Sequence, residues 1–411
     1  MTKTTFSELG LHKDLLHILH AKKYICATPI QEEAIPIILD GKDLMGTAQT
    51  GTGKTAAFGL PILQQLASYH KRPKSRYVRA LILAPTRELA IQIHKSLRSY
   101  GSNLALRQAV IFGGVPQKKQ VTALRQGIDV LVATPGRLLD LMNQKHLKLD
   151  HIEFLVLDEA DRMLDMGFIR DIRKIVAKVP KTRQTMCFSA TMPAVVANLA
   201  TEILNEPKRL NVTPKIIPIT QIEQSVIFTR SADKSALLLK ILQNPKTTRA
   251  IVFVRTKHRA DNVAKTLIGA GISSNVIHGN KSQNTRQRVL NAFRDGRINV
   301  LVATDIAARG IDVDAISHVI NYELPNTAED YVHRIGRTAR AGASGIAISL
   351  CDPSEQLSLN KIEKLIKVRI NIVGGTPVKC QSGKTKHKLQ KLGKRSRHRK
   401  GRDRGRTHRA A

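Results

Sequence analysis

Short apolar runs alternate with amphipathic segments along most of this chain. In the first half the runs are ALILA (80–84), DVLVAT (129–134), FLVLDEA (154–160) and TMCFSAT (185–191). In the second half they are AIVFV (250–254), NVLVATD (299–305), HVINYE (318–323) and GIAISL (345–350). Their hydrophobicity is continuous and a helical pattern follows each of them, which is typical of strands buried on both faces of a parallel sheet. The pattern predicts an α/β fold of two tandem domains, each a parallel sheet covered by helices.

The stretch NEPKRLNVTPKIIPIT (205–220) separates the two sets of runs. It carries three prolines, and prolines at that density disfavour both a helix and a central strand. The composition changes again near Thr376, because fourteen Lys and Arg but only one acidic residue fall between Lys379 and Arg409. Such a block repels itself and buries little, so we expect a tail that is disordered when unbound. The predicted boundaries are 1–206 for the first domain, 207–219 for the linker, 220–375 for the second domain and 376–411 for the tail.

The net charge of the chain indicates what kind of partner it binds. The 411 residues carry a net charge of +35, of which the tail supplies +13. Such an excess favours a polyanion, either a nucleic acid or an anionic membrane surface. No apolar run approaches the roughly 18 residues that span a bilayer, and the N-terminus lacks the layout of a signal peptide. Aromatic residues are scarce and Trp is absent, which argues against base stacking as the main binding device.

The cysteines point to a reducing compartment. There are four, they are scattered, and none forms a C-x-x-C pair: Cys26, Cys187, Cys351 and Cys380. That spacing fits neither a zinc site nor a disulfide framework. We therefore expect reduced thiols in the cytoplasm and a nucleic acid rather than a membrane as the partner.

The segment AQTGTGKT (48–55) has the composition of a phosphate-binding loop. Glycines let backbone N–H groups close around phosphate oxygens, and the N-terminus of the helix that follows adds a favourable dipole. Lys54 is suited to reach the β- and γ-phosphates of ATP, and the Thr55 hydroxyl to ligate Mg²⁺. Ala48 stands where the strict pattern has glycine. Taken alone, the segment fits any P-loop NTPase, or a flexible glycine turn.

A second chemical signal, Asp158-Glu159-Ala160-Asp161, follows the apolar run FLVL. A carboxylate at the C-terminus of a buried strand lies at the sheet edge where ligands bind. Asp158 is suited to hold Mg²⁺, and Glu159 to orient and deprotonate an attacking water. The alternative is an acidic N-cap on the next helix, and the two readings are compatible. The loop and the acids together favour an NTPase.

From Phe6 to about Gly375 the chain resembles a DEAD-box ATP-dependent RNA helicase, most closely the small bacterial RhlE-type members. The resemblance rests on short motifs in a fixed order, which are Phe6 with KYICATPIQ (23–31), AQTGTGKT, PTRELA (85–90), Gly113 with Gly114, TPGR (134–137), DEAD (158–161), SAT (189–191), FVRT (253–256), HGNKSQNTR (278–286), ATDIAARGIDV (303–313) and YVHRIGRTARAG (331–342). It implies two RecA-like domains that bind ATP and single-stranded RNA in a shared cleft. The chain departs from the family at Lys23 and Ala339, where glycine is common.

The resemblance implies a role for each matched residue at the nucleotide. Gln31 reads adenine, because an amide can pair with N6 and N7 together, and Phe6 and Tyr24 pack near the base. Arg337 and Arg340 are arginine fingers for the γ-phosphate. The nucleotide-binding set is completed by Ala48, Gln49, Thr50, Gly51, Thr52, Gly53, Lys54, Thr55 and Asp312, the last on the ribose.

Other matched residues are expected to bind RNA or to couple the two ligands. Hydroxyls, backbone N–H groups and arginines at loop ends suit a sugar–phosphate chain and carry no base information. The RNA set is Thr86, Arg87, Gly114, Thr134, Arg137, Gly279, Arg286 and Thr304. The coupling set is Asp161, Ser189, Thr191, His333 and Arg334. For any one of these residues a helix cap or a loop hydrogen bond is the alternative, so the prediction rests on the set.

The expected mechanism is ATP-dependent closure of the cleft on one RNA strand, with local unwinding of short duplexes and reopening after hydrolysis. Two ligands that each favour the closed state raise one another's affinity. The rival hypotheses are an ATP-gated RNA clamp with little turnover and a DNA translocase on the same fold. Ribosome assembly or RNA turnover is the expected setting, with ribosomal or degradosome components as possible partners, and the sequence does not reveal the physiological RNA.

Overall fold

The computed structural model describes residues 4–48, 51–68, 72–212, 222–308, 313, 315–339 and 345–376. The chain divides into one unit, Met1–Thr376, and a second, Pro377–Ala411, which lies outside the described residues. The predicted tail and most of the predicted linker therefore lie outside them as well. The first unit consists of two halves, each with its own sheet.

The first half of this unit is a seven-stranded parallel sheet in the order β3-β4-β2-β5-β6-β1-β7. Its strands are β1 (Leu44–Thr47), β2 (Val78–Leu83), β3 (Gln108–Ile111), β4 (Ile128–Ala133), β5 (Phe154–Leu157), β6 (Gln184–Ser189) and β7 (Lys208–Asn211). A 3₁₀ turn, Phe6–Leu9, precedes the first helix. The helices are α1 (Lys13–Ala21), α2 (Pro29–Leu39), α3 (Lys54–Ser68), α4 (Arg87–Tyr100), α5 (Lys118–Leu124), α6 (Pro135–Asn143), α7 (Ala160–Asp165), α8 (Ile169–Val176) and α9 (Ala194–Ile203).

The second half repeats this plan with a seven-stranded parallel sheet in the order β10-β11-β9-β12-β13-β8-β14. Its strands are β8 (Ile222–Phe228), β9 (Ala250–Val254), β10 (Ser274–Ile277), β11 (Val300–Thr304), β12 (His318–Asn321), β13 (Gly345–Cys351) and β14 (Asn371–Gly374). Its helices are α10 (Lys234–Leu242), α11 (Lys257–Gly269), α12 (Gln283–Arg294), α13 (Asp305–Ala308), α14 (Ala328–Ile335) and α15 (Gln356–Ile366), with a 3₁₀ turn at Pro353–Glu355. The two sheets with their surrounding helices are the predicted pair of RecA-like domains.

Each sheet is buried on both faces. Neighbouring residues of one central strand enter different hydrophobic clusters: Ile82 of β2 packs in one cluster and Leu81 in the other. In the second half Val252 and Ile251 of β9 divide in the same way. This two-sided burial explains why the central strands read as unbroken apolar runs, since successive side chains alternate between two cores.

All eight predicted runs are strands, and six further strands accompany them: β1, β3, β7, β8, β10 and β14. Five of the six are only four residues long, and each of the six contains at least one exposed or half-buried residue, so no continuous apolar run marks them. Strand β7 lies within the range predicted as linker and pairs with β1 in parallel register. The first sheet thus extends past Pro207, because an edge strand needs neither two-sided burial nor an apolar sequence. The other domain boundaries stay predictions. No helix among the described residues is long and apolar enough to cross a membrane.

Candidate nucleotide and RNA site

The phosphate-binding loop joins β1 to the N-terminus of α3. Gly51 and Gly53 adopt positive φ angles of 89° and 95°, which glycine enters at little cost. A Cβ on Gly53 would lie 2.3 Å from the Gln31 amide nitrogen, so a side chain has no room there. Lys54 and Thr55 form the first turn of α3. The sequence pattern and the backbone therefore agree on a strand, a tight glycine turn and a helix N-terminus, the arrangement that receives phosphate.

The predicted catalytic acids lie directly beside this loop. The ammonium of the buried Lys54 is 3.0 Å from the Ala48 carbonyl oxygen and 3.7 Å from a carboxylate oxygen of Asp158. Burial raises the pKa of Asp158 to about 6, with Lys54 opposing the rise and Glu159 adding to it. The carboxylate is thus held dry beside a single cation, so it gains from any further positive charge.

Glu159 occupies a strained position at the start of α7. Its φ of 55° and ψ of 52° are left-handed, a conformation that costs a non-glycine residue about 1 kcal/mol or more. Its side chain is buried, with a carboxylate oxygen 3.5 Å from Nε of the equally buried Arg162. The capping alternative from the sequence is weak here, because Glu159 stands at the N-cap without a side-chain capping hydrogen bond.

The third acid of the tetrad connects the catalytic loop to the SAT segment. The Asp161 carboxylate accepts hydrogen bonds from the backbone N–H and the hydroxyl of Thr191, each at 2.9 Å, and its own N–H donates to the Ser189 hydroxyl at 3.1 Å. Burial works to raise the pKa of Asp161, but these hydrogen bonds outweigh it and leave the pKa below its usual value. Three residues predicted to couple the two ligands therefore form one hydrogen-bonded unit.

The residues expected at the base differ in their surroundings. The Gln31 amide donates to the Gly53 carbonyl at 3.1 Å and accepts from the Thr28 N–H at 2.9 Å, so it ties α2 to the phosphate loop. Phe6 is only 3% exposed and lies in the core, where its N–H donates to Ile25. Tyr24 is 46% exposed. Phe6 thus supports the segment before α2, which carries Tyr24, while the contacts of Tyr24 and Gln31 with adenine stay predictions.

The second half presents arginine and histidine side chains toward the tetrad. His333 on α14 has its pKa lowered to about 4, by burial first and then by the nearby charges of Arg162 and Arg337. Arg162 of α7 lines one small cavity together with His333 and Arg337, so the two halves meet here. Arg337 is buried and its Nε donates to the His333 carbonyl at 3.3 Å.

Arg334 makes its hydrogen bonds and its ring contact within the second half. Its guanidinium forms a bidentate pair with Asp305 at 2.6 and 2.8 Å and donates to Asn321 at 3.0 Å. The same group stacks on the Phe253 ring at 4.9 Å. All these partners lie in the second half, so Arg334 holds the strand ends together beneath His333 and Arg337. Its predicted contact with the DEAD–SAT junction stays a prediction.

A cavity of about 460 Å³ brings most of the predicted RNA residues together. Its walls come from both halves: Thr86, Arg87, Thr134, Arg137, Gly279 and Arg286 line it with Pro85, Glu88, Gly113, Gly136, Asp140, Met166 and Phe168. A Cβ on Gly114 would fall 2.1 Å from the Arg87 guanidinium, so glycine lets that arginine lie flat against the loop. Burial, and then the charges of Arg286 and Arg137, depress the pKa of Arg87 against the effect of Glu88. Thr304 lies at the end of β11, outside this lining.

Glu88 is the principal residue that the sequence analysis did not single out. One oxygen of its buried carboxylate accepts a hydrogen bond from the Gln283 amide at 3.0 Å and forms an ion pair with Arg286 at 3.1 Å, across the two halves. Met166 and Phe168, between α7 and α8, were also missed. Glu88 belongs to the matched PTRELA segment, but an acidic residue in the first turn of a helix is ordinary, so nothing distinguished it.

The two departures from the family pattern both fall at left-handed backbone. Lys23 has a φ of 60° and Ala339 a φ of 55°. Glycine suits such positions because it has no Cβ to clash, which explains why the family favours it there. In this chain Lys23 and Ala339 adopt the left-handed conformation although each has a Cβ, so both positions are strained. Gln49, Thr50, Asp312 and Arg340 lie outside the described residues, so their predicted roles stay predictions.

Comparison with known proteins agrees with this geometry. Residues 28–199 match the DEAD/DEAH box helicase family and residues 233–342 match the helicase conserved C-terminal domain. The ATP-dependent RNA helicase CshA of Limosilactobacillus reuteri is 42% identical over 365 residues, which cover 89% of this chain and 72% of that protein.

Among solved structures, Saccharomyces cerevisiae Dbp5 bound to RNA and ADP BeF3 aligns with a TM-score of 0.81 at 33% identity, covering 91% of this chain and 96% of that one. A Dbp5 variant bound to a Gle1 variant and IP6 covers 91% and 95% at the same identity with a TM-score of 0.73.

Two RecA-like halves with a phosphate loop, an acidic tetrad and an arginine-lined cavity are the features of a nucleotide-dependent enzyme that acts on a nucleic acid. The chain belongs to the DEAD-box family of ATP-dependent RNA helicases. It is an RNA helicase and ATP phosphohydrolase, with ATP and RNA as its ligands. Its placement among the RhlE-type members stays a prediction.

Proposed function

We propose that RNA stimulates ATP hydrolysis by closing the two halves on both ligands, and that closure locally unwinds short RNA duplexes. The observation that supports this most is the hydrogen-bonded unit of Asp161, Ser189 and Thr191, which joins the acidic tetrad to the SAT segment. RNA bound in the cleft and ATP bound at the phosphate loop then favour the same arrangement, so each raises the affinity for the other.

In the proposed reaction Lys54 neutralises phosphate charge, and Glu159 orients and deprotonates the attacking water. Arg337 and Arg340 stabilise the charge that develops on the γ-phosphate. The Thr55 hydroxyl and the Asp158 carboxylate suit Mg²⁺, because the dry, charged carboxylate gains from a divalent cation. Among the described residues no group of three or more His, Cys, Asp or Glu could hold a metal. Mg²⁺ is usually bound by one or two carboxylates together with substrate phosphates.

The RNA side of the proposal uses backbone recognition. Arg87, Arg137 and Arg286 converge on one cavity and suit phosphates, while Thr86 and Thr134 suit sugar or phosphate oxygens. Preference for RNA over DNA then depends on 2′-hydroxyl contacts. Gly279 fits this scheme as a backbone contact from the second half.

The decisive experiment is phosphate release with RNA, DNA or no nucleic acid added. We expect strong stimulation by RNA and weak stimulation by DNA of the same sequence. Equal stimulation by DNA would favour the translocase hypothesis, and RNA binding without faster phosphate release would favour the clamp. We further propose ribosome assembly or RNA turnover in the cytoplasm as the setting, with the basic tail adding sequence-independent RNA affinity. Crosslinking of RNA and proteins in cells tests the setting.

A further inference from the structure

The strands that carry cleft residues at their carboxyl ends carry a basic surface at their amino ends. Tyr77 directly precedes β2, Arg107 precedes β3, Arg125 lies just before β4, and Lys148 and His151 come shortly before β5. These four strands are adjacent and parallel, so the loops before them share one edge of the sheet. The cleft residues follow the same strands, at the opposite edge.

Backbone hydrogen bonds join these loops into one surface. The Lys148 N–H donates to the Arg76 carbonyl at 2.8 Å, and the Arg76 N–H donates to the Leu124 carbonyl at 3.1 Å. The Arg107 guanidinium donates to the Gln126 carbonyl. We name this surface the amino-edge basic face and define it by six exposed residues: Lys74, Arg76, Arg107, Arg125, Lys145 and Lys148.

The positive charge of this face is poorly compensated. Three carboxylates lie at the same edge: Asp129 and Glu153 contact the buried Arg79 at 3.3 and 2.8 Å, and Asp150 is exposed between Lys148 and His151, so the six cations still outnumber the carboxylates. Asp129 is itself buried, so it contributes little to the surface. The tail accounts for +13 of the net charge of +35, which leaves +22 for the rest of the chain. The cleft arginines alone do not explain that excess.

Two of the basic residues are retained at a conformational cost. Arg76 and Lys145 have φ angles of 67° and 59°, and the left-handed region costs a residue with a Cβ about 1 kcal/mol or more, whereas glycine enters it freely. Strain of this kind tends to persist where the side chain has a function. Both strained residues on this face carry a positive charge.

An aromatic pair lies on the same face. The rings of Tyr77 and the exposed His151 stack with centroids 4.1 Å apart and an interplanar angle of 21°, and the Lys148 ammonium lies 5.6 Å from the Tyr77 centroid. Sequence-tolerant binding of single-stranded RNA combines a basic track along the backbone with rings on which bases stack. Cations and rings together distinguish this face from a solvated lysine patch.

We propose that the amino-edge basic face is a second binding site for single-stranded RNA, which holds the strand that continues beyond the cleft. The proposal rests on the proposed function, since it assumes that RNA occupies the cleft. Six-residue strands such as β2 and β4 separate the two edges by about 20 Å at ~3.3 Å per residue. A long RNA can therefore occupy both sites, while a short oligonucleotide fills the cleft alone.

The test compares glycine substitutions that remove one charge and one strained φ each. Arg76→Gly and Lys145→Gly act on the face, and Lys367→Gly is the matched control. Lys367 is exposed, has a φ of 56° and lies in the second half at the end of α15. All three variants should melt at or above the temperature of the parent full-length protein. Only the face variants should weaken binding of a long single-stranded RNA, and each should reduce the slope of log affinity against log salt by about 0.7. His151→Ala should weaken the same binding by about five-fold or more through lost stacking.

Two further measurements separate this proposal from the function it rests on. RNA-stimulated phosphate release at saturating short RNA should be unchanged in the face variants and impaired in Arg137→Ala, which acts in the cleft. If Arg137→Ala has no effect, the proposed function of the cleft fails. If Arg76→Gly and Lys145→Gly bind long RNA with the affinity and salt slope of Lys367→Gly, the second site does not exist and the face is a solvated surface or binds another polyanion.

Discussion

Removing the charge of Glu88 should uncouple ATP from RNA with little effect on the fold of either half. The carboxylate is buried, and a single oxygen holds Gln283 at 3.0 Å and Arg286 at 3.1 Å across the interface between the halves. Glu88→Gln keeps the size and one acceptor but loses the charge. A hydrogen bond to a charged group contributes about 1.5–3 kcal/mol, and leaving a buried partner unpaired costs more. The Arg286 side chain is 12% exposed, so water can hydrate it and offset part of the free energy lost with the ion pair.

We therefore expect the closed arrangement to lose about 2 kcal/mol, which is about a 30-fold change in an equilibrium constant. The assay is RNA affinity by fluorescence anisotropy, with and without a non-hydrolysable ATP analogue. In the parent protein the analogue should tighten RNA binding strongly, and Glu88→Gln should reduce that gain by about 30-fold. Affinity without nucleotide should change little, because the link acts only when the halves meet.

The control is Glu202→Gln, which removes an exposed carboxylate 2.9 Å from Arg173 and should cost little. Two outcomes for Glu88→Gln would contradict the proposed role of this carboxylate. If Glu88→Gln binds RNA more tightly both with and without nucleotide, the carboxylate competes with RNA for Arg286 and does not join the halves. An unchanged gain from the analogue would show that the contact contributes nothing to closure.

Four other predictions concern the nucleotide site and the tail. Lys54→Ala should abolish ATP binding, whereas Glu159→Gln should bind ATP and RNA in a long-lived complex without hydrolysis; fast RNA release from the latter in ATP would contradict coupled closure. Gln31→Ala should blur the preference for ATP over GTP, at about 1–3 kcal/mol for the lost pairing, and an unchanged preference in hydrolysis assays would reject adenine reading. Asp158→Asn should stabilise the nucleotide-free protein at pH 7, because the native pKa near 6 exceeds the ordinary 3.8 and the ionised form is disfavoured. That gain should shrink as pH falls through 6, where the native carboxyl takes up a proton, and a gain that is constant in thermal melts from pH 7 to 4 would exclude this cause. Deleting 376–411 should flatten the salt dependence of RNA binding, by up to about 0.7 per lost phosphate contact on a single strand, and leave ATP hydrolysis at saturating RNA intact; an unchanged slope in a salt titration would leave the tail without a role in RNA affinity.

Central strands and short motifs were readable from the sequence because each depends on local pattern. Strands buried on both faces must be continuously apolar. The apolar runs therefore predicted β2, β4, β5 and β6 in the first half and β9, β11, β12 and β13 in the second. The phosphate loop was readable because its two positive-φ positions need glycine. Edge strands such as β7 and β14 were not predicted, because an exposed strand does not need a continuous run of apolar residues.

Distant groups come to share one environment only in the tertiary structure. The raised pKa of Asp158 and the lowered pKa of His333 come from burial and from neighbours that folding brings together. Nothing in the residue pattern distinguished Phe6, which lies in the core, from the more exposed Tyr24. Glu88 and Gln283 lie 195 residues apart, and an acid in the first turn of a helix carries no mark of its partner. Local pattern determined the strands, turns and motifs; the meeting of side chains from two halves depends on chain topology, which no local pattern encodes.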